Sequence, residues 1–91
     1  MSEIPDDFAR RIGRFTISKF LVDTDPKTVI TALSGAIVVR CEFMYHTADL
    51  EYLACHSTFD PVSPGHAPPT YQCVFTMHED GSVTHEWRKV P

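Results

Sequence analysis

The chain has 91 residues, a formal charge of −4 and a pI near 5.6, with 43% apolar and 22% charged residues. That length encloses one hydrophobic core, so residues 1–91 read as a single domain, and the apolar share is too high for a disordered segment. The acidic balance argues against direct nucleic-acid binding, because phosphate contacts require clustered Lys and Arg.

Residues 5–12 read as a short helix: Ile4, Phe8 and Ile12 recur every four residues, Asp6 and Asp7 sit near the positive end, and Gly13 stops it. Residues 14–22 are rich in β-branched and aromatic side chains and partly alternate, which predicts a first strand. Asp25 then suits a helix cap and Pro26 the first helical position, with a helix over 27–33 that places Val29, Ile30 and Leu33 on one face and ends at Gly35. The strand propensity of Thr28, Val29, Ile30 and Thr31 keeps a strand as the alternative there.

Ile37, Val39, Cys41, Phe43 and Tyr45 alternate with Val38, Arg40, Glu42, Met44 and His46, the pattern of a strand with one apolar face. A tight connection through Thr47, Ala48 and Asp49 leads to a strand over 50–58. Pairing Tyr45 with Leu50 sets Phe43 opposite Tyr52, Cys41 opposite Ala54 and Val39 opposite His56. Pro61, Pro64, Pro68 and Pro69, with Gly65, forbid a ladder and make 59–70 one long loop.

Strands over 71–78 and 82–90 follow, joined by Glu79, Asp80 and Gly81. A left-handed Gly81 in a three-residue bulged turn makes Tyr71, Cys73, Phe75 and Met77 share a face with Val83, His85 and Trp87. The expected fold is α+β: a roughly five-stranded, mainly antiparallel sheet with two short helices packed on one face, in the order β-α-β-β-β-β after an N-terminal helix.

Two features point to the compartment. The longest apolar run, residues 36–39, is far below the roughly 18–20 residues of a bilayer span, and the acidic opening lacks the parts of a secretory signal. Cys41, Cys55 and Cys73 lack the spacing of a disulfide scaffold. Both suit the reducing cytoplasm.

A crossover helix makes the second strand parallel to the first, and hairpins fix the direction of the others. The turns carrying Asp23 and Asp25, Asp49 and Glu51, and Glu79 and Asp80 then gather at one end of the sheet with His46 and His78. Arg10, Arg11, Arg14, Arg88 and Lys89 fall at the opposite end. Such an acidic rim suits docking on a basic protein surface or holding a hard cation, although Asp, Glu and Gly also populate turns for conformational reasons alone. On the outer face of the second and third strands, Val38, Arg40, Met44 and Leu53 form a small apolar patch among Glu42 and Glu51. It is a second candidate contact surface unless the proline-rich segment 60–69 folds over it.

Catalytic readings fare worse. Cys41, His56, Cys73 and His85 share the core face in these registers, but no two of them sit at the short loop spacing of a structural zinc site. Cys73 and His85 could meet as a nucleophile and base, yet no oxyanion donor or orienting group accompanies them. Cys55 and His56, being adjacent on a strand, point to opposite faces. The carboxylate pairs at the hairpin tips have no apolar pocket to shift their pKa, and neither phosphate-binding glycine pattern occurs. No catalytic residue, metal or cofactor is therefore expected.

The resulting expectation is a small acidic protein-binding module. Its contacts would be Asp23, Asp25, Asp49, Glu51, Glu79, Asp80, Arg40, Met44 and Leu53. In its sharpest form it is an inhibitor occupying a partner's basic nucleic-acid-binding surface, by analogy with phage-encoded anti-defence proteins. A homodimer through a sheet edge is also expected from the open strands. The alternative is a small-ligand binder or minor enzyme with a core-face pocket lined by His56, Cys73, His85, Tyr52 and Trp87.

Overall fold

The computed structural model describes residues 7–91. A 3-10 turn at Phe8–Arg10 leads to β1 (Ile12–Ser18), α1 (Lys19–Thr24), α2 (Pro26–Leu33), β2 (Ile37–Met44), β3 (Asp49–Cys55), β4 (Tyr71–Met77) and β5 (Val83–Lys89). The fold is α+β, but its five antiparallel strands divide into two sheets, β1-β3-β2 and β4-β5, where a single sheet was expected. The break lies at the prolines. Arg14 N–H donates to the Pro69 carbonyl at 2.9 Å and Arg14 makes one parallel bridge to Thr70, while Pro68 and Pro69 offer no amide with which a ladder could continue.

The helices also differ from the expected pair. Of the helix expected over 5–12, residues 5 and 6 lie outside the described residues, Phe8–Arg10 forms a single 3-10 turn, and Ile12 already belongs to β1. The first strand ends at Ser18 rather than Val22. The Ser18 hydroxyl accepts from Phe20 N–H at 3.2 Å and so starts α1, Thr24 Oγ1 donates to the Phe20 carbonyl at 2.7 Å, and Lys19 pairs with Asp23 at 2.7 Å. These local bonds, with Leu21 and Val22 packing against the core, override the strand propensity of the segment.

Asp25 and Pro26 do start α2, with Asp25 accepting from Thr28 N–H at 3.4 Å and from Thr28 Oγ1 at 2.7 Å; Gly35, at φ +85°, follows its end. The strand alternative for 27–33 is thereby removed. The helix buries Val29 and Ala32 and leaves Ile30 exposed, so its inner face is rotated from the expected one.

β3 lies between β1 and β2 and is antiparallel to both, so β1 and β2 run parallel. Leu50 pairs with Phe43, where Tyr45 was expected, because the turn occupies 45–48: Thr47 and Ala48 N–H both reach the Met44 carbonyl, and Ala48 takes φ 57°. An even shift of this kind leaves Cys41 and Phe43 on the face of Tyr52 and Leu50. A bulge between Val38 and Arg40 then sets Val38 opposite Ala54 and Ile37 opposite Cys55, which exchanges the faces of Ile37 and Val38 relative to strict alternation.

The β4–β5 hairpin has the expected register. Cys73 faces Trp87, Phe75 faces His85 and Met77 faces Val83, His78 N–H reaches the Ser82 carbonyl at 2.8 Å, and Gly81 takes φ +88°.

An aromatic cluster joins the two sheets. Phe15 stacks on Tyr52 at 5.1 Å and Phe59 on Tyr71 at 4.1 Å, while Trp87 meets Phe15 and Phe59 edge-on at 4.7 and 5.2 Å. Burying a Phe contributes roughly 1.5–3 kcal/mol, and a well-oriented ring pair about 0.5–1.5 more. The long loop is fixed by inserting Phe59, by Asp60 N–H on Tyr71 Oη at 2.8 Å and by Val62 N–H on the Arg10 carbonyl at 2.7 Å. It therefore runs along the free edge of β1.

Candidate functional site

Strand direction decides where the carboxylates lie. β1 finishes with Ser18 opposite Asp49, and Lys19 N–H donates to the Ala48 carbonyl at 3.1 Å, so the α1–α2 segment adjoins the β2–β3 turn. β4 leaves its parallel bridge running with β1 and carries the β4–β5 tip toward the same end, where Gly81, Val83 and Thr84 line one cleft with Asp25, Lys27 and Thr28. Asp23, Asp25, Asp49, Glu79 and Asp80 thus share an end with His46 and His78, and Lys19 and Lys27 lie there too. Glu51 is one step further along β3, between Thr16 and Glu42.

Several of these groups already serve the fold. Asp23 holds Lys19, Asp25 caps α2, and Asp80 accepts from Ser82 Oγ at 2.6 Å and from Ser82 N–H at 2.9 Å, bonds that lower its pKa.

The opposite end is basic and more fully paired. Arg11 binds Asp7 at 2.8 Å, which lowers the Asp7 pKa, and also donates to the Phe59 carbonyl at 2.9 Å. Lys89 meets Asp60 at 3.2 Å, Arg88 meets Glu86 at 3.1 Å, Arg10 reaches the Val62 carbonyl and Arg14 reaches Thr70 Oγ1. Solvent and salt screen exposed pairs like these, so they shape the field more than the stability.

The outer-face patch is only partly assembled. Arg40 is exposed opposite Leu53, and Met44, opposite Asp49, is half-buried like Leu53; Val38 is carried to the register of Ala54 by the bulge. The proline-rich loop is engaged at the β1 edge through Val62 and Pro69.

What sequence reasoning missed is the exposure of β2. The core cluster draws on β1, α2, β3, β4 and Phe59 and takes no described residue of β2. Every β2 residue except Met44 is exposed, with Ile37 at 56% and Val39 at 58%, and Tyr45 just beyond reaches 88%. Alternation marked an apolar face, but only the packing shows that the helices cover β1 and β3 and stop short of the outer strand.

The chemistry-bearing core residues stand apart from one another. His56 is buried, its Nδ1 accepting from Thr58 N–H at 3.0 Å and its ring packed 5.4 Å from Phe59 and 5.8 Å from Trp87; desolvation holds its pKa below the ordinary value. Burial pushes the Cys73 thiol up to about 11 and also raises Cys55, which makes both poor nucleophiles. Cys41 is exposed beside Tyr52, whose pKa is raised by burial and then by Cys41 itself.

Among the described residues no three His, Cys, Asp or Glu side chains are placed to share a metal. The space expected to form a core-face pocket holds Phe15 and Phe59, both fully buried. A cleft of about 300 Å³ lies between α2 and β4–β5 and includes only His85 of the expected lining. Trp87 Nε1 is buried without a hydrogen-bond partner among the described residues, so packing alone orients the indole.

No helix among the described residues is long and apolar enough to cross a membrane. Comparison with protein-family models, with curated proteins and with solved structures gives no match.

Proposed function

We propose that this chain is a small acidic protein-binding module of the cytoplasm, an inhibitor that docks its carboxylate-bearing end on the basic, nucleic-acid-binding surface of another protein. The observation that supports this most is the common direction of β1 and β4, which carries Asp23, Asp25, Asp49, Glu79 and Asp80 toward one end, away from Arg10, Arg11, Arg14, Arg88 and Lys89. Carboxylates spread over three connections present negative charge along a surface, as successive phosphates do, and their field steers a basic partner into place. Arg40, Met44 and Leu53, on the outer face beside Asp49 and Glu51, would extend the contact.

The test immobilises the chain and challenges it with a set of basic nucleic-acid-binding proteins between about 0.1 and 1 M salt, with and without competing oligonucleotide. Capture at low salt that oligonucleotide and high salt both reverse, and that the D49K/E51K/E79K/D80K variant loses, supports the reading. Capture undiminished in that variant, or capture of none of the set at low salt, rejects it.

A further inference from the structure

The two free edges of the three-stranded sheet are treated differently. That of β1 is engaged at Arg14 by Pro69 and Thr70, whereas no described residue pairs with the outer edge of β2, which carries exposed apolar side chains on both faces. An open apolar edge is a template for another strand. We infer that β2 is the contact of a homodimer, paired antiparallel with β2 of a second copy about a two-fold axis at Cys41. This goes beyond the acidic-end reading and is independent of it.

The charges on β2 select that register. Arg40 and Glu42 are exposed and have no ion-pair partner among the described residues. Glu42 lies opposite Glu51 of β3, a like-charge cross-strand pair that is unfavourable as the molecule stands. A two-fold axis perpendicular to the sheet keeps every side chain on its own face, so the axis passes through a residue of β2. At Arg40 it opposes two guanidinium groups, and at Glu42 it opposes two carboxylates. At Cys41 it sets each Arg40 against Glu42 of the other copy, twice, so that every Glu42 gains a cation on its open side. Val39 then faces Phe43 across the axis, joining two exposed apolar residues.

The backbone agrees. Lys19 N–H donates to the Ala48 carbonyl and Ala48 N–H to that of Met44, a pattern that turns the peptide groups of Glu42 and Met44 toward β3. Those of Cys41 therefore point outward, and Cys41 can exchange both backbone hydrogen bonds with its copy.

Sedimentation over a range of concentrations tests this on the full chain, with R40E, E42R and the double swap R40E/E42R compared, and with a short bismaleimide to link Cys41 across the axis. The expected result is a concentration-dependent dimer linked through Cys41 and not in C41S. Each single reversal should weaken it about tenfold in Kd, as two cross-strand pairs turn repulsive, and the double swap should restore it. A chain monomeric at every concentration overturns the inference. So does a dimer indifferent to the single reversals, or one that the double swap leaves as weak as the singles. None of these outcomes bears on capture by the acidic end, which is read separately with the lysine variant.

Discussion

Replacing Gly13 by Ala is expected to destabilise the fold by about 1–2.5 kcal/mol, although Ala is the better strand residue. A Cβ at Gly13 would lie 2.5 and 2.7 Å from Cδ1 and Cε1 of Tyr71 and 3.1 Å from Cδ2 of Phe59. Carbon atoms pack best at about 3.5–4.0 Å, so the overlap approaches an ångström. Neither ring can step aside. Tyr71 is stacked on Phe59 at 4.1 Å and its hydroxyl holds Asp60 N–H at 2.8 Å, while Phe59 is enclosed by Phe15, His56 and Trp87.

Overpacking costs about 1–3 kcal/mol, and an overlap this deep against two held rings belongs to the upper half of that range, about 2–3, of which the loss of unfolded-chain freedom on replacing Gly offsets about 0.4–1. In a domain this small each kcal/mol shifts Tm by about 4–8 °C, so the melt should fall by roughly 5–20 °C. Urea denaturation and a thermal melt followed by circular dichroism give both quantities, and G13A in a Y71L background should lose much of its penalty. A midpoint unchanged or raised in G13A would refute the close approach of β1 to the start of β4.

Three further outcomes are expected. D25A should cost about 0.5–2 kcal/mol by removing the α2 cap, with D25N close to the parent, and equal loss in both would contradict the capping role. Burial lowers the pKa of His56 from its ordinary 6.5, so the unfolded chain takes up this proton first. The associated stability is whole above pH 6.5 and declines as pH falls through the window below it. H56Q should flatten the stability slope there, and an unchanged slope would sink the assignment. In dilute neutral solution Ellman's reagent should modify Cys41 rapidly and reach Cys55 and Cys73 only on unfolding, and three equally fast thiols would contradict the burial described.

Local chemistry made much of the fold legible. Asp25 with Pro26 announced α2, Gly81 fixed the β4–β5 turn, and the direction of the crossover followed from chain order alone. The failures share a cause: they depend on contacts between segments distant in sequence. Phe20, Leu21 and Val22 read as strand because nothing in their propensity reveals a Ser18 cap or a docked Leu21. The bulge at Val39 is invisible to an alternation count, so Ile37 and Val38 were assigned to exchanged faces.

The candidate site divides in the same way. The shared end of Asp25, Asp49 and Asp80 follows from strand direction and was readable. The exposure of β2 depends on how far two short helices reach across a sheet, and no residue of β2 encodes that.

The most direct test of the acidic end as a docking surface is an NMR titration of the nitrogen-15-labelled chain with a short lysine-rich peptide, read amide by amide. Shift changes should concentrate at residues 23–27, 46–51 and 78–82 and disappear as salt is raised. Changes centred on residues 10–14 and 86–89, or spread evenly over the chain, would contradict it.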